Sequence, residues 1–372
     1  MTINFNDILQ ESLLSIQNAS NSPYGFVGLP SGLKDLDKAI CGFDNSDLIV
    51  VGARPAMGKT GFLLTLAINM VEREIPVLFY SLEMSNLQIV NRMLSNITGI
   101  EGNKLSSGRM SEEEWENIIK VGKEMGKFPL YLTDKCDWKI ENFCKKVRED
   151  VEETGAKIIF IDYLQLFSTR ERLQNRYEEV ALCTRELKLL ARELNLPVIV
   201  ASQLNRNVEN RTTGIFREKM PQMFDLRDSG TICDDANVVM LLYRPEYYTR
   251  SSEDENGNDI RGLAEVIIAK NHMGREDTIR LKFSPETGKF EDWEPYEPEI
   301  PFLNRPNYEE TLDNFDSLSS PFWFNMADEL KQFEDRLWEA ADKLRSESGL
   351  KSTQYSTPLL GLIFLRFASN KY

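Results

Sequence analysis

Residues Ala53-Arg54-Pro55-Ala56-Met57-Gly58-Lys59-Thr60 have the pattern of a phosphate-binding loop, the most informative motif of the chain. The apolar run Asp47 to Val51 before it predicts a buried strand, and the run Gly61 to Met70 after it predicts a helix. A strand, a tight loop and a helix are the context that the motif requires. Backbone N–H groups of such a loop surround the β- and γ-phosphates of a nucleotide, and the helix N-terminus adds its dipole.

Two side chains of the loop have separate tasks. Lys59 supplies a cation for the terminal phosphates, and Thr60 offers a hydroxyl to Mg²⁺. Ala53 stands where the usual pattern has its first glycine, with Gly52 just before it. We therefore take all eight residues, 53 to 60, as candidate nucleotide-binding residues.

Composition limits the class of protein. The 372 residues carry 44 basic and 59 acidic side chains, a net charge of −15, which argues against a surface coated in basic charge for nucleic acid. A local basic groove remains compatible with this balance, because charge is sensed within only ~8–10 Å in salt. Scattered cysteines and the absence of a secretory signal predict reduced thiols and a cytoplasmic protein. The longest apolar run, Leu359 to Leu365, is shorter than the about 20 residues that span a bilayer, so no membrane partner is expected.

Apolar strands alternate with helices from Leu33 to about Trp293. The pattern predicts strands at 77–81, 157–162, 197–202, 237–243, 264–270 and 278–283, with helices at 86–97 and 177–194. Such alternation is typical of an α/β fold with a mostly parallel central sheet flanked by helices. The last strands have no helices between them, which predicts an antiparallel extension at one edge of the sheet.

Near the N-terminus, residues 4–17 read as a short amphipathic helix. Phe5, Leu9, Leu13 and Ile16 fall on one face at helical spacing. Residues 18–25 look like a flexible connector. Two interpretations stay open: the helix packs on its own domain, or it docks on a neighbouring subunit.

Two acids and an amide follow predicted strands. Glu83 and Asp162 lie at the carboxyl ends of strands, where ligands bind in open α/β sheets. Asp162 suits a role near Mg²⁺ and Glu83 suits a general base that polarises water, although acids at such positions also serve as helix caps. Gln203 can hydrogen-bond a γ-phosphate and report its presence, or it can simply stabilise its loop.

The segment after Gln203 is long, polar and irregular. Residues 205–217 carry Arg206, Arg211 and Arg217 among Asn, Thr and Gly. Long loops in a compact domain are usually functional or disordered. The three arginines are candidate ligands for the phosphates of single-stranded DNA, with a solvated surface loop as the alternative.

Taken together and in order, these motifs resemble the DnaB family of ring-shaped replicative helicases. The matching segments are Gly28-Leu29-Pro30-Ser31-Gly32-Leu33-Lys34-Asp35-Leu36-Asp37, the phosphate-binding loop, Ser81-Leu82-Glu83-Met84, Asp162-Tyr163-Leu164-Gln165-Leu166, Leu190-Ala191-Arg192-Glu193-Leu194, Ser202-Gln203-Leu204-Asn205-Arg206, Asp225-Leu226-Arg227-Asp228-Ser229-Gly230 and Leu242-Tyr243-Arg244. The resemblance covers about residues 1–290. It implies a RecA-like P-loop ATPase that uses ATP and Mg²⁺, assembles into a hexamer and moves 5′ to 3′ on single-stranded DNA, with other replication proteins as further partners. It also implies that Arg244 belongs to the nucleotide site and that residues 4–17 correspond to the family's linker helix.

The chain departs from the family in two places. Only about thirty residues precede the ATPase region, so the family's N-terminal primase-interacting domain is missing from this sequence and loading stays open. The second departure is His272, where the family usually has the arginine of a Lys-x-Arg motif that begins here with Lys270. An arginine finger contributes ~10³–10⁵ in rate, whereas a free imidazole is only roughly a quarter charged at neutral pH. Lys270, His272 and the nearby Arg275 are therefore candidates for action across a subunit boundary, with slower hydrolysis than the family norm.

The C-terminal part has a different character. An acidic, proline-containing stretch predicts a linker at 295–325, and a helical segment follows at 326–372. That segment is similar to the opening helices of the type I restriction-modification DNA methyltransferase subunit, and it contains no methyltransferase motif. Either two neighbouring reading frames were fused, or the segment docks on a restriction complex. The predicted domains are thus 1–27, 28–294, 295–325 and 326–372.

Three functions are compatible with the sequence. The first is a translocating ring helicase, and the second is a RecA-like ATPase that switches assembly or signalling without unwinding. The third is a component of a restriction system that binds DNA or partners through its tail.

Overall fold

The computed structural model describes residues 4–22, 25–170, 173, 175–211, 219–226, 230–249, 253 and 259–293. In this part of the chain, one sheet has the strand order β3-β2-β4-β5-β1-β6-β7-β8-β9. The strands are β1 (Leu48–Ala53), β2 (Val77–Ser81), β3 (Leu130–Thr133), β4 (Ile158–Asp162), β5 (Val198–Gln203), β6 (Val238–Tyr243), β7 (Leu263–Asn271), β8 (Asp277–Ser284) and β9 (Lys289–Asp292).

Ten α-helices accompany this sheet in the described part of the chain, and some of them cover its two faces. They are α1 (Phe5–Asn21), α2 (Lys34–Ile40), α3 (Lys59–Val71), α4 (Asn86–Thr98), α5 (Gly102–Ser107), α6 (Glu112–Met125), α7 (Ile140–Thr154), α8 (Arg176–Leu194), α9 (Gly230–Asp235) and α10 (Pro245–Thr249). Side chains of α2, α3 and α4 form the core on one face, and those of α7, α8 and α9 form the core on the other. This is the predicted α/β class, a RecA-like arrangement in which continuous apolar strands are buried on both faces.

The sheet is parallel from β3 to β6 and antiparallel beyond it. β1 lies at the centre, paired in parallel with β5 on one side and with β6 on the other. β7, β8 and β9 add to β6 as antiparallel neighbours, as the late strands without helices predict. The predicted strands are confirmed within two residues at each end. Because the strand order reverses at β1, a crevice opens at its carboxyl end, where ligands bind in such sheets.

Several elements were not predicted from the sequence. Strands β3 and β9 have four residues each, with no buried side chain in β3 and only Phe290 buried in β9, so neither gives a continuous apolar run. Helix α6 has no buried residue, but Ser111 and Glu114 form a capping box at its start, which is a local signal for a helix.

Helix α1 leaves its apolar side chains in solvent. Asn4 caps it, and the helix runs to Asn21, four residues beyond the predicted end at 17. Phe5 and Ile16 are 75% and 64% exposed, and Leu9 and Leu13 are also exposed. Within the described residues, then, the apolar face of α1 has no packing partner.

Two predictions on the C-terminal part cannot be compared with the structure. The acidic linker at 295–325 and the helical segment at 326–372 lie outside the described residues. Among the described helices, none combines the length and the apolar character needed to cross a membrane.

Two glycines in helices give a matched test of this packing. A Cβ on Gly61 in α3 would lie 2.5 Å from the carbonyl oxygen of Gly288, whereas a Cβ on Gly122 in α6 would meet no atom within 4 Å. We expect Gly61→Ala to lower the free energy of unfolding by about 1–3 kcal/mol, because the β8–β9 turn must move. We expect Gly122→Ala to raise it by about 0.5–1 kcal/mol through helix propensity. Urea denaturation measures both, and equal effects would contradict the close approach of α3 and the turn.

Candidate active site

The phosphate-binding loop leaves the carboxyl end of β1 at the centre of the sheet. Gly58 precedes α3 with φ 92°, in the left-handed region where glycine carries no steric cost. A Cβ there would also lie 3.0 Å from the rings of Phe283 and Phe290. The sequence needs glycine at this position for both reasons.

Lys59 and Thr60 both contact Asp162. The Thr60 hydroxyl donates to Asp162 Oδ2 at 2.6 Å, and Lys59 Nζ lies 3.8 Å from Asp162 Oδ1. Asp162 is 1% exposed, and its Oδ1 is buried without a hydrogen-bond partner among the described residues. Burial lowers the pKa of Lys59, and the charges of Asp162 and Glu83 partly oppose that shift.

Lys59 also lies over an aromatic ring. Its Nζ is 4.2 Å from the ring centroid of Tyr163, the residue after Asp162. A cation over an aromatic face is attracted by the ring quadrupole. The ammonium is therefore held between a carboxylate and a ring beside the phosphate-binding loop.

Glu83 and Gln203 come to the same end of the sheet from β2 and β5, two strands that β4 separates. Glu83 is exposed and lies two residues after Ser81, the last residue of β2. Gln203 is the last residue of β5 and pairs in register with Ala53. Gln165 fixes this end of β5, since its Oε1 accepts from the Gln203 N–H at 3.0 Å and its Nε2 donates to Ser202 at 2.8 Å.

A cavity of about 650 Å³ opens at this edge. Its volume falls within the roughly 300–1,000 Å³ of small-molecule sites. Residues of the phosphate-binding loop, of α4 and of the β8–β9 turn line it, together with Glu83, Tyr163 and Gln203. The donor set fits a nucleotide phosphate chain with Mg²⁺, because an orphaned buried carboxylate oxygen stands next to a hydroxyl and an ammonium.

Two arginines predicted to bind nucleotide point their guanidinium groups elsewhere. Arg54 donates to Glu209 Oε1 at 2.9 and 2.7 Å and to the carbonyl oxygen of Leu204 at 2.8 Å. Arg244 donates to Glu246 at 2.6 Å and to the carbonyl oxygen of Ala56 at 3.2 Å, and it is not among the residues that line the cavity. Arg54 is among the residues that line the cavity, but its guanidinium bonds to the segment after β5, and that of Arg244 bonds to a carbonyl oxygen of the phosphate-binding loop.

At the end of the sheet opposite to the cavity, near the amino ends of the parallel strands, lie Lys270, His272 and Arg275. Lys270 pairs with Val239 at the start of β6, and Val239 pairs with Val50 of β1. From there, three residues of extended strand, roughly 10 Å, separate this level from the end of β1. Lys270 Nζ donates to the carbonyl oxygen of Cys233 at 2.6 Å, and His272 and Arg275 are exposed in the turn before β8. The structure does not bring these three residues to the cavity of their own chain.

The predicted DNA-binding arginines differ from one another. Arg206 is exposed at the start of a 3₁₀ helix, Arg206–Val208. Arg211 forms an ion pair with Asp225 and donates to the carbonyl oxygen of Met220 at 3.2 Å. Arg217 lies outside the described residues.

Sequence reasoning missed several residues of this site. Tyr163 and Gln165 are within a recognised motif but received no role, and Glu209 gave no signal. The α4 side chains Gln88, Asn91 and Arg92 also line the cavity. Their i, i+3, i+4 spacing places them on one helix face, which is a signal that could have found them.

Comparison with known proteins gives consistent matches. The family model described as DnaB-like helicase C terminal domain matches residues 28–292, and one described as HsdM N-terminal domain matches residues 333–372. The "Probable replicative DNA helicase" of Trieres chinensis is 39% identical over 290 residues, covering 77% of this chain and 62% of that protein. The "Replicative DNA helicase DnaB" of Geobacillus stearothermophilus is 38% identical over 289 residues, covering 77% of this chain and 61% of that protein.

Solved structures agree with these matches. One, described as an ATPase domain, has a TM-score of 0.72 at 31% identity and covers 79% of this chain and 100% of its own. Another, "The Structure Of A DnaB-Like Replicative Helicase And Its Interactions With Primase", has a TM-score of 0.69 at 31% identity and covers 79% of this chain and 68% of its own. The chain spans about three-fifths of the length of the curated relatives above, 62% and 61%.

The metal dependence of nucleotide binding tests the role of Asp162. We expect Asp162→Asn to weaken binding of Mg·ATP at least about tenfold, because Thr60 and the carboxylate no longer act together on the cation. Binding of ATP in EDTA should not weaken comparably. No cation is then present for Asp162 to hold, and the substitution removes a buried negative charge that repels the phosphates. Glu83→Gln is the matched control, because it removes a cavity carboxylate that makes no contact with Thr60. Titration with a fluorescent nucleotide measures both, and equal losses with and without Mg²⁺ would contradict the assignment.

Proposed function

Because the chain belongs to the DnaB-like helicase C-terminal domain family, we propose that it is an ATP-driven helicase of DNA replication. It moves 5′ to 3′ on single-stranded DNA and unwinds the duplex. The observation that carries the proposal is the cavity lined by Lys59, Thr60, Glu83 and Gln203, with the buried Asp162 in contact with Lys59 and Thr60. These are the residue types that phosphoryl transfer to water requires.

The proposed roles follow from burial and contact. Lys59 and the loop N–H groups bind the terminal phosphates of ATP, and Glu83, exposed at the cavity, polarises the attacking water. Thr60 and Asp162 would hold Mg²⁺, which would neutralise charge on the phosphates. Gln203 lies at the end of β5 between the cavity and the 205–217 loop, so it can report the γ-phosphate to that loop.

A hexameric ring supplies the residues that one chain lacks. Lys270 and His272 or Arg275 act on the nucleotide of the neighbouring subunit, which is consistent with their location at the edge of the sheet away from their own cavity. The exposed apolar face of α1 docks on that neighbour. Arg206, Arg211 and Arg217 bind the DNA strand in the centre, and replication proteins of the cytosol are further partners.

The C-terminal segment has its own proposal. The match of residues 333–372 to the HsdM N-terminal domain supports a segment related to the methyltransferase subunit of type I restriction systems. The 372 residues contain no methyltransferase motif, and the segment is either a relic of a reading-frame fusion or a docking piece. The helicase core is proposed to work without it.

Strand separation on forked DNA is the direct test. With ATP and Mg²⁺, we expect the chain to release the labelled strand of a fork that has a 5′ tail and to assemble at about six times its subunit mass. Glu83→Gln should keep ATP binding and lose hydrolysis and unwinding by about 10²–10⁴-fold.

Two other outcomes would favour the rival functions. DNA-stimulated hydrolysis without any strand release points to an assembly switch. Loss of both activities when the chain is shortened after residue 296 points to a component that works through its tail.

The histidine in the finger position generates a separate prediction. We expect His272→Arg to raise DNA-stimulated ATP turnover by at least about tenfold, because a fixed positive charge then faces the neighbour's γ-phosphate. Met273→Arg is the matched control, since it adds the same charge one residue away at a side chain that is 75% exposed. A steady-state ATPase assay with and without single-stranded DNA decides the matter. Unchanged or lower turnover in His272→Arg alone would contradict the proposed role.

A further inference from the structure

Arg54 links the phosphate-binding loop to the loop that follows β5. Its Nε and Nη2 both donate to Glu209 Oε1, at 2.9 and 2.7 Å, and its Nη1 donates to the carbonyl oxygen of Leu204 at 2.8 Å. The Arg54 side chain is 7% exposed and the Glu209 side chain 45%. A half-buried pair with charge-assisted bonds in fixed fork geometry is stronger than an exposed ion pair.

Both backbone groups of Leu204 are bonded to the phosphate-binding loop. The Leu204 N–H donates to the carbonyl oxygen of Ala53 at 3.1 Å, and the Leu204 carbonyl accepts from Arg54. Leu204 directly follows Gln203, which lines the cavity. A displacement of residues 53 and 54 therefore moves the start of the next loop as well.

Residues 205–211 are also bonded to the segment after them. The Asn205 N–H donates to the carbonyl oxygen of Asp225 at 2.7 Å, and Arg211 forms an ion pair with the Asp225 carboxylate. Glu209 lies between Asn205 and Arg211 in the sequence. Its N–H donates to the carbonyl oxygen of Arg206 at 3.0 Å and closes the 3₁₀ helix. Arg206 and Arg211, the two described candidates for DNA phosphates, thus flank the residue that Arg54 holds.

We propose that Arg54 is a positioning residue that acts through Glu209 and sets the affinity of residues 205–211 for DNA according to the nucleotide in the cavity. The inference rests on the proposed function and adds the connection between the two sites. A simple structural brace would also contain this ion pair. The two roles differ because a brace changes stability, whereas a coupling contact changes how strongly each ligand affects the other.

The test is a pair of binding ratios. The affinity for fluorescent single-stranded DNA is measured with a saturating non-hydrolysable ATP analogue and without nucleotide, and the affinity for the same analogue is measured with and without DNA. Linkage requires the two ratios to agree, and coupling of this kind is typically about 5–150-fold. We expect Glu209→Gln to bring both ratios to within about twofold of one. A ratio cancels the uniform gain in DNA affinity that loss of one negative charge brings.

Two further variants separate the loss of this contact from the loss of a negative charge. Glu193→Gln removes the same charge from the exposed Arg148–Glu193 pair, at 2.9 and 2.7 Å, and should keep the wild-type ratios. Arg54→Lys keeps the positive charge but not the fork, so it should lose the coupling by itself. The double variant should then lose no more than either single variant, because both act through one contact.

The failures are distinguishable. Wild-type ratios in Glu209→Gln, with wild-type coupling of fivefold or more, would overturn this inference and leave the helicase proposal intact. A wild-type protein that binds DNA and ATP without coupling would also overturn it. A wild-type protein that binds no single-stranded DNA would overturn the helicase proposal together with it.

Discussion

The site depends on a buried ammonium held against a buried carboxylate. Lys59 is 14% exposed and Asp162 1%, yet their closest atoms are 3.8 Å apart, so burial is only partly compensated by attraction. Desolvation lowers the pKa of Lys59, which means that the charged form is held at a cost. A phosphate chain beside the ammonium and a divalent cation beside the carboxylate would relieve both ends of this arrangement. The resting state is thus poised for a ligand that carries both charges.

The sheet keeps this arrangement in place. β1 is buried along its whole length and has a parallel neighbour on each side, so the loop at its end starts from a rigid support. Gly58 then turns the chain over the rings of Phe283 and Phe290, which belong to the antiparallel extension. The late strands therefore support the floor of the site as well as one edge of the sheet.

The sequence predicted the central strands and the phosphate-binding loop because long apolar runs and a tight glycine turn have strong local signals. It also predicted that Glu83, Asp162 and Gln203 follow strands, and the structure brings all three to one edge. The contacts of Arg54 were not predictable, because Glu209 is 155 residues away and the pairing depends on the tertiary fold. β3 and β9 were missed because short, half-buried edge strands have no clear period. The positions of Lys270 and His272 became clear only from the register of β6 with β7.

The opposite locations of Lys59 and Lys270 have a consequence for the number of working centres. In the ring proposed above, each chain contributes one half of an active site from each end of its sheet, so two chains are needed to complete one site. Contacts of this head-to-tail kind close into a ring or continue as an open helix. An open row has one complete centre fewer than it has chains, and only closure gives every chain a full set. Opening the ring at a single subunit interface would therefore inactivate one active site while leaving every polypeptide folded.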